Sequence, residues 1–207
     1  MIPALEALER LREGNRRFVS SVRSLEAFVS QTRRGELVAG QKPFAVVLGC
    51  SDSRVPVEIV FDQGLGDLFV IRVAGNIVAS SQIGSVEFAA ERFGTRLVVV
   101  LGHTRCGAVE ATLEELQRPT GTQSRNLRAI VDRVRPSVEG LLATELRRDR
   151  EALAREAVRA NVRVSASALR HGSEVLEQLS QKHGLLVAGA EYSLETGVVD
   201  FFDGVPA

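Results

Sequence analysis

Phe44-Ala45-Val46-Val47-Leu48-Gly49-Cys50-Ser51-Asp52-Ser53-Arg54 and Leu97-Val98-Val99-Val100-Leu101-Gly102-His103-Thr104-Arg105-Cys106-Gly107 follow one plan: an apolar run, a glycine, then residues able to ligate a metal. Continuous apolar runs of this length, without polar alternation, read as strands buried on both faces of a parallel sheet. Two further runs, Leu68–Val73 and Leu185–Ala188, have the same character. Helical candidates separate them at about 56–62, opened by Pro56, and at about 82–93 and 107–117.

A longer helical stretch, about 126–142 and 151–182, precedes the last run. Leu127, Ile130, Val134, Val138 and Leu141 keep helical spacing across Pro136, which is expected to kink or split the helix. The C-terminal strands are expected at 185–191 and 197–202, turned at Glu195-Thr196-Gly197. Before the first strand, residues 4–18 carry Leu5, Leu8 and Leu11 on one stripe, with Gly14-Asn15 loosening the end, and a second helical piece covers about 24–34. An amphipathic arm of this kind must dock on something. With no internal repeat or linker, residues 1–207 read as a single α/β domain with a helical N-terminal arm.

Composition narrows the function classes. At 207 residues one domain with a substantial core is expected. The 26 Lys+Arg balance 26 Asp+Glu, which gives no electrostatic footprint for nucleic acid or anionic lipid. No apolar run approaches the ~18 residues of a membrane span. The opening Met1-Ile2-Pro3-Ala4-Leu5-Glu6 carries no export signal, so a cytoplasmic location is expected, with Cys50 and Cys106 kept as thiols. Tryptophan is absent.

In open parallel sheets ligands gather beyond the carboxyl ends of the strands, so two such strands would deliver Cys50, Asp52, His103 and Cys106 to one place. Two thiolates, an imidazole and a carboxylate make a tetrahedral set suited to Zn²⁺. Cys106, at the start of a helix, would feel the positive end of its dipole, which favours thiolate. Arg54 can hold Asp52 by a bidentate hydrogen bond, ionised yet away from the metal. Whether Asp52 binds metal or arginine decides whether a position stays open for water. A lone cysteine or histidine after a strand is more often structural, and it is the joint occurrence that points to metal. His171 and His183 read as structural, the latter before Gly184 at a helix end. Gly64-Leu65-Gly66 lacks the spacing of a dinucleotide fingerprint and reads as a turn.

The segments Cys50-Ser51-Asp52-Ser53-Arg54, Val70-Ile71-Arg72-Val73-Ala74-Gly75-Asn76 and Gly102-His103-Thr104-Arg105-Cys106-Gly107, in this order, resemble the β-class carbonic anhydrases, and Gly14-Asn15-Arg16-Arg17-Phe18 is similar to that family's N-terminal arm. The resemblance covers nearly the whole chain. It implies one Zn²⁺ per subunit on Cys50, His103 and Cys106, with the fourth position taken by water or, in a closed state, by Asp52. It implies a four-stranded parallel sheet with an added edge strand, flanked by helices. It also implies that 1–40 is a dimerisation arm packing on a partner subunit and 41–207 the α/β core, in a homodimer or a dimer-of-dimers tetramer. Gln41, Phe69, Ala74, Phe88 and Gly107 match residues of the substrate pocket, Gln41 and Phe69 from across the subunit boundary. Phe88 stands where many members have tyrosine.

The implied reaction is the reversible hydration of CO2 to bicarbonate and a proton by zinc-bound hydroxide, with Asp52, held by Arg54, accepting the hydroxide's hydrogen bond. Some members have a bicarbonate-binding regulatory site built on a tryptophan. Here Val47 takes the tryptophan position while Arg72 and Tyr192 occupy the other two, so weak or absent inhibition through that site is expected. The alternatives are a non-catalytic zinc-stabilised module or sensor with Asp52 permanently bound, and a carbon disulfide or carbonyl sulfide hydrolase using the same centre.

Overall fold

A computed structural model describes residues 2–22, 31–119 and 124–206. Its elements are α1 (Ala4–Val19), α2 (Gln31–Leu37), β1 (Ala45–Gly49), α3 (Val57–Val60), β2 (Leu68–Arg72), α4 (Ser80–Arg92), β3 (Leu97–His103), α5 (Gly107–Gln117), α6 (Arg125–Val138), α7 (Arg150–His171), α8 (Glu174–His183), β4 (Leu186–Tyr192) and β5 (Val199–Asp203), with 3-10 turns at Ala74–Asn76, Glu139–Ala143 and Glu145–Arg148. Most of the second helical piece expected at 24–34 lies outside the described residues, where α2 takes up the chain.

The strands form one sheet in the order β2-β1-β3-β4-β5. The first four are parallel and β5 is antiparallel to β4, as four parallel strands with an added edge strand require. β1 and β3 are buried along their whole length. Alternation divides them between two cores: Ala45, Val47, Leu97, Val99 and Leu101 face one, and Val46, Leu48, Val98 and Val100 the other. Two covered faces explain why these runs carry no polar alternation. β2 is an outer strand and only half-buried after Leu68.

In the arm, the packing of α1 on its own chain can be traced residue by residue. Leu8 and Leu11 of α1 pack into the chain's own core with Val55, Val57, Val60 and Phe61, while Leu5 is 56% exposed. Gly14-Asn15 does not loosen the helix, which runs on to Val19. A Cβ on Gly14 would lie 1.8 Å from the Phe61 carbonyl oxygen, so the helix backbone presses directly on α3's end. Asn15 donates to the carbonyls of Val60 (3.2 Å) and Gly197 (2.8 Å) and accepts from the Val199 N–H (2.9 Å). The Leu8–Leu11 part of the α1 stripe therefore docks on its own domain, while Leu5 stays on the surface.

Two other boundaries differ. α6 passes through Pro136 and ends at Val138. The carbonyl that Pro136 leaves unpaired belongs to exposed Asp132, where water can satisfy it. The helix expected over 151–182 is two helices, because Gly172 closes α7 and the Ser173 side chain caps α8 by accepting from the Leu176 N–H. α8 ends at Gly184 with φ +68°, in keeping with His183 as its last residue. Among the described residues no helix is long and apolar enough to cross a membrane.

Candidate metal centre

β1 and β3 are neighbours in the sheet, and their carboxyl ends carry Cys50 and His103. After His103 the chain turns through Arg105, in the left-handed region at φ +55°, and enters α5 with Cys106 as its N-cap residue. This tight turn returns Cys106 beside His103. All three residues are buried, and one ligand atom from each lies within 4.8 Å of the others. The two Sγ atoms are 4.0 Å apart. Two sulfurs each ~2.3 Å from a tetrahedral ion would be about 3.8 Å apart, so the spacing fits zinc.

The imidazole is set for the same role. Nδ1 lies 2.9 Å from the Thr104 carbonyl oxygen, which can only accept, so the ring proton is on Nδ1. The Nε2 lone pair is then free, and Nε2 is buried without a hydrogen-bond partner. A buried imidazole nitrogen left unpartnered is costly, and a metal shared with two thiolates removes that cost. The two thiols shift in opposite directions. The hydrogen bond from Cys106, helped by the Gly75 N–H at 3.3 Å, pushes Cys50 down against its burial. The same pairing together with burial pushes Cys106 up, while the amides of Val109 and Ala108 pull the other way.

Asp52 is turned to Arg54, which donates from Nε to Oδ1 (2.9 Å), from Nη2 to Oδ2 (2.7 Å) and from its backbone N–H to Oδ1 (3.0 Å). Those bonds hold its carboxyl far below the usual carboxylate range. Asp52 is not part of the ligand cluster, although Oδ2 comes within 3.8 Å of His103 Nε2. Arg54 also reaches the Arg105 carbonyl at 3.1 Å, joining the two motif loops.

Glu195 and Arg72 extend this framework, and neither placement was legible in the motifs. Glu195, in the turn between β4 and β5, accepts from the Thr104 hydroxyl and from Arg105 Nε, each at 2.8 Å. Those donors lower its carboxyl to about 2. Arg72 donates to the carbonyls of Cys50 (3.0 Å) and Asp52 (2.6 Å). Val47 is fully buried in the core on the α1 side of the sheet, and Tyr192 lies in the same core. No side-chain hydrogen bond joins these two to Arg72 among the described residues.

Of the expected pocket residues, Gly107 opens α5 with free space where a side chain would be, and it lines an open groove with Arg54, Cys106, Glu110 and Arg155. Ala74 begins the 3-10 turn that reaches Cys50. Phe69 and Phe88 form a ring cluster with Phe93, the pair Phe69–Phe88 at 6.2 Å. Gln41 lies at the other end of the sheet, before β1 and beside Phe93 and Gly94, away from its own chain's Cys50.

The family model described as "Carbonic anhydrase" matches residues 45–199. The chain belongs to the β-class carbonic anhydrase family. It is 41% identical over 191 residues to "Carbonic anhydrase 2" of Mycobacterium tuberculosis, covering 92% of this chain and 89% of that one. It is 47% identical over 135 residues to a carbonic anhydrase of Mycolicibacterium smegmatis, covering 64% and 63%. The crystal structure of the β-carbonic anhydrase CafA of Aspergillus fumigatus superposes with a TM-score of 0.74 at 29% identity, covering 84% and 82% of the two chains. The membership makes this a zinc-dependent enzyme family's fold and ligand set.

Proposed function

We propose that the protein catalyses the reversible hydration of CO2 to bicarbonate and a proton, with one zinc ion per subunit held by Cys50, His103 and Cys106. The observation that carries this is the pairing of three buried ligands with a carboxylate, Asp52, whose two oxygens are tied to Arg54 rather than turned onto the cluster. Three protein ligands with an open position is the catalytic pattern, and four is the structural one. Zinc, when bound, supplies a Lewis acid that lowers the pKa of water towards ~7.

The chain's own residues do the rest. Asp52, kept ionised by Arg54, accepts a hydrogen bond from the attacking water and aims its lone pair at CO2. The Gly107 N–H, free at the first turn of α5, donates to the oxygen on which charge develops. Ala74 and Phe88 give CO2 an apolar wall, completed by Gln41 and Phe69 from a second subunit. Asp52 in a closed state would leave Arg54 and take the open position as a fourth ligand. Support for an oligomer, a homodimer or a dimer of dimers, comes from Gln41 lying too far along the sheet to serve its own Cys50 and from Phe88 being 52% exposed. Buried Val47, and Arg72 engaged on the Cys50 and Asp52 carbonyls, support weak or absent bicarbonate inhibition at the position of the missing tryptophan. A cytoplasmic location fits two cysteines kept as thiols.

Stopped-flow CO2 hydration on metal-quantified protein, from about pH 6.5 to about pH 9, tests the proposal. Activity rising towards the alkaline end is expected, and zinc-replete protein inactive there would overturn it. Asp52→Asn should lower turnover by about 10²-fold or more while zinc stays bound, as loss of an orienting hydrogen-bond group does. Cys106→Ala should lose the metal.

A further inference from the structure

The hydrogen bond on Cys50 comes from an unusual piece of backbone. Gly75 donates its N–H to Cys50 Sγ at 3.3 Å from within the turn Ala74–Asn76, where Gly75 (φ +70°) and Asn76 (φ +42°) are both left-handed. Two consecutive left-handed residues are costly to hold, and asparagine tolerates the conformation better than most side chains. A Cβ on Gly75 would lie 3.2 Å from the Ala108 Cβ, so the turn is also wedged against α5.

Something must fix this turn, and besides Cys50 the side chain bonded to it comes from α7. Asn161, 1% exposed, donates from Nδ2 to the Gly75 carbonyl at 2.7 Å. The Gly75 carbonyl can only accept, which sets the amide with Nδ2 towards it, and Oδ1 then lies 3.5 Å from the Ser137 hydroxyl of α6. A buried polar side chain among Val158, Val162 and Ala166 of the same helix has a cost that apolar packing would avoid. It is retained where its hydrogen bond does something packing cannot.

Resting on the zinc site proposed above, we propose that Asn161 is a positioning residue of the metal centre: through the Gly75 carbonyl it holds the Gly75 N–H on the Cys50 sulfur. An N–H donor on a thiolate ligand draws charge from the sulfur and fixes its direction. Loss of Asn161 frees the turn to relax, weakens that bond and leaves a more electron-rich, less directed thiolate. Outer partners of metal ligands are worth about 10- to 100-fold in affinity.

The test measures zinc affinity by competition with a chromophoric chelator and the sulfur-to-metal charge-transfer band of Co²⁺-substituted protein, in wild type, Asn161→Ala and Ser165→Ala. Ser165 is a buried polar residue one turn further along α7, so its variant reports the general cost of altering that helix. Asn161→Ala should bind zinc about tenfold more weakly or worse and move the band to longer wavelength, with Ser165→Ala like wild type. An Asn161→Ala protein with wild-type affinity and band would overturn the inference, as would the same change in Ser165→Ala. If Asn161→Ala does not fold, Asn161→Ser keeps a small polar group that falls short of the Gly75 carbonyl: a shifted band supports the inference and a wild-type band overturns it. Wild-type protein that binds neither Zn²⁺ nor Co²⁺ would instead overturn the metal site, and the role of Asn161 with it.

Discussion

Glu195 shows how one exposed carboxylate can stiffen a buried centre. Its two bonds pin Thr104 and Arg105, the residues between two ligands, and Thr104 in turn supplies the carbonyl that fixes the His103 ring. Glu195→Ala is therefore expected to lower zinc affinity by about tenfold with little loss of fold, measured by chelator competition and thermal melting. The same clamp has a pH signature. Its carboxyl is lowered to about 2, against ~4.3 unfolded, so its anion stabilises the fold above ~pH 4.3, and that contribution fades as pH falls through about 2. The gap in urea midpoint between wild type and Glu195→Gln should close over that interval; a constant gap would contradict the clamp. Cys50, His103 and Cys106 were legible because each motif is local and follows a strand. Glu195 and Asn161 were not, since 90 and 86 residues separate them from the groups they hold and only the folded sheet brings them close. Asp52 was left between two partners by its sequence, and its two bonds to Arg54 show which it takes here.

At the scale of elements, the parallel sheet could be read from its valine-rich runs, whereas the docking of the helices could not. The amphipathic stripe of α1 told that a face must be covered, and nothing in periodicity says whether the cover is the same chain. Gly14 carries that information in the structure. Gly14→Ala would drive a methyl group into the Phe61 carbonyl, and a destabilisation of about 1–3 kcal/mol is expected by chemical denaturation. A wild-type midpoint would mean that α1 does not rest there. The helix break at Gly172-Ser173 is a glycine and a cap within an otherwise continuous pattern, a signal easily outweighed by the leucines around it. On the far side of the sheet, Glu191 of β4 has one oxygen buried without a partner, while the other accepts from Arg159, which also serves Asp200. Burial raises its carboxyl above the ordinary value. The ionised form is therefore disfavoured by folding above ~pH 4.3, increasingly so as pH rises through the raised value. Glu191→Gln should raise the melting temperature at neutral pH, the gain vanishing below about pH 4.

For the whole molecule, the sheet leaves β2 as an open edge beside the Phe69–Phe88–Phe93 rings, and half-exposed apolar strands at an edge invite pairing. Light scattering is expected to give a multiple of the 22.4 kDa chain; a single-chain mass together with full activity would contradict the completion of the pocket by a second subunit. The placement of the ligands at the carboxyl ends of β1 and β3 carries a thermodynamic consequence as well. Cys50 and Cys106 stand 56 residues apart in the chain but 4.0 Å apart in space, so an ion held between them acts as a reversible cross-link closing a long loop. Because it would bind the folded chain far better than the unfolded one, heat resistance becomes a function of free metal concentration, about 2.7 kcal/mol at a hundredfold excess over the dissociation constant. With an ion bound there, melting curves of this protein would be, in that sense, titrations of its metal supply.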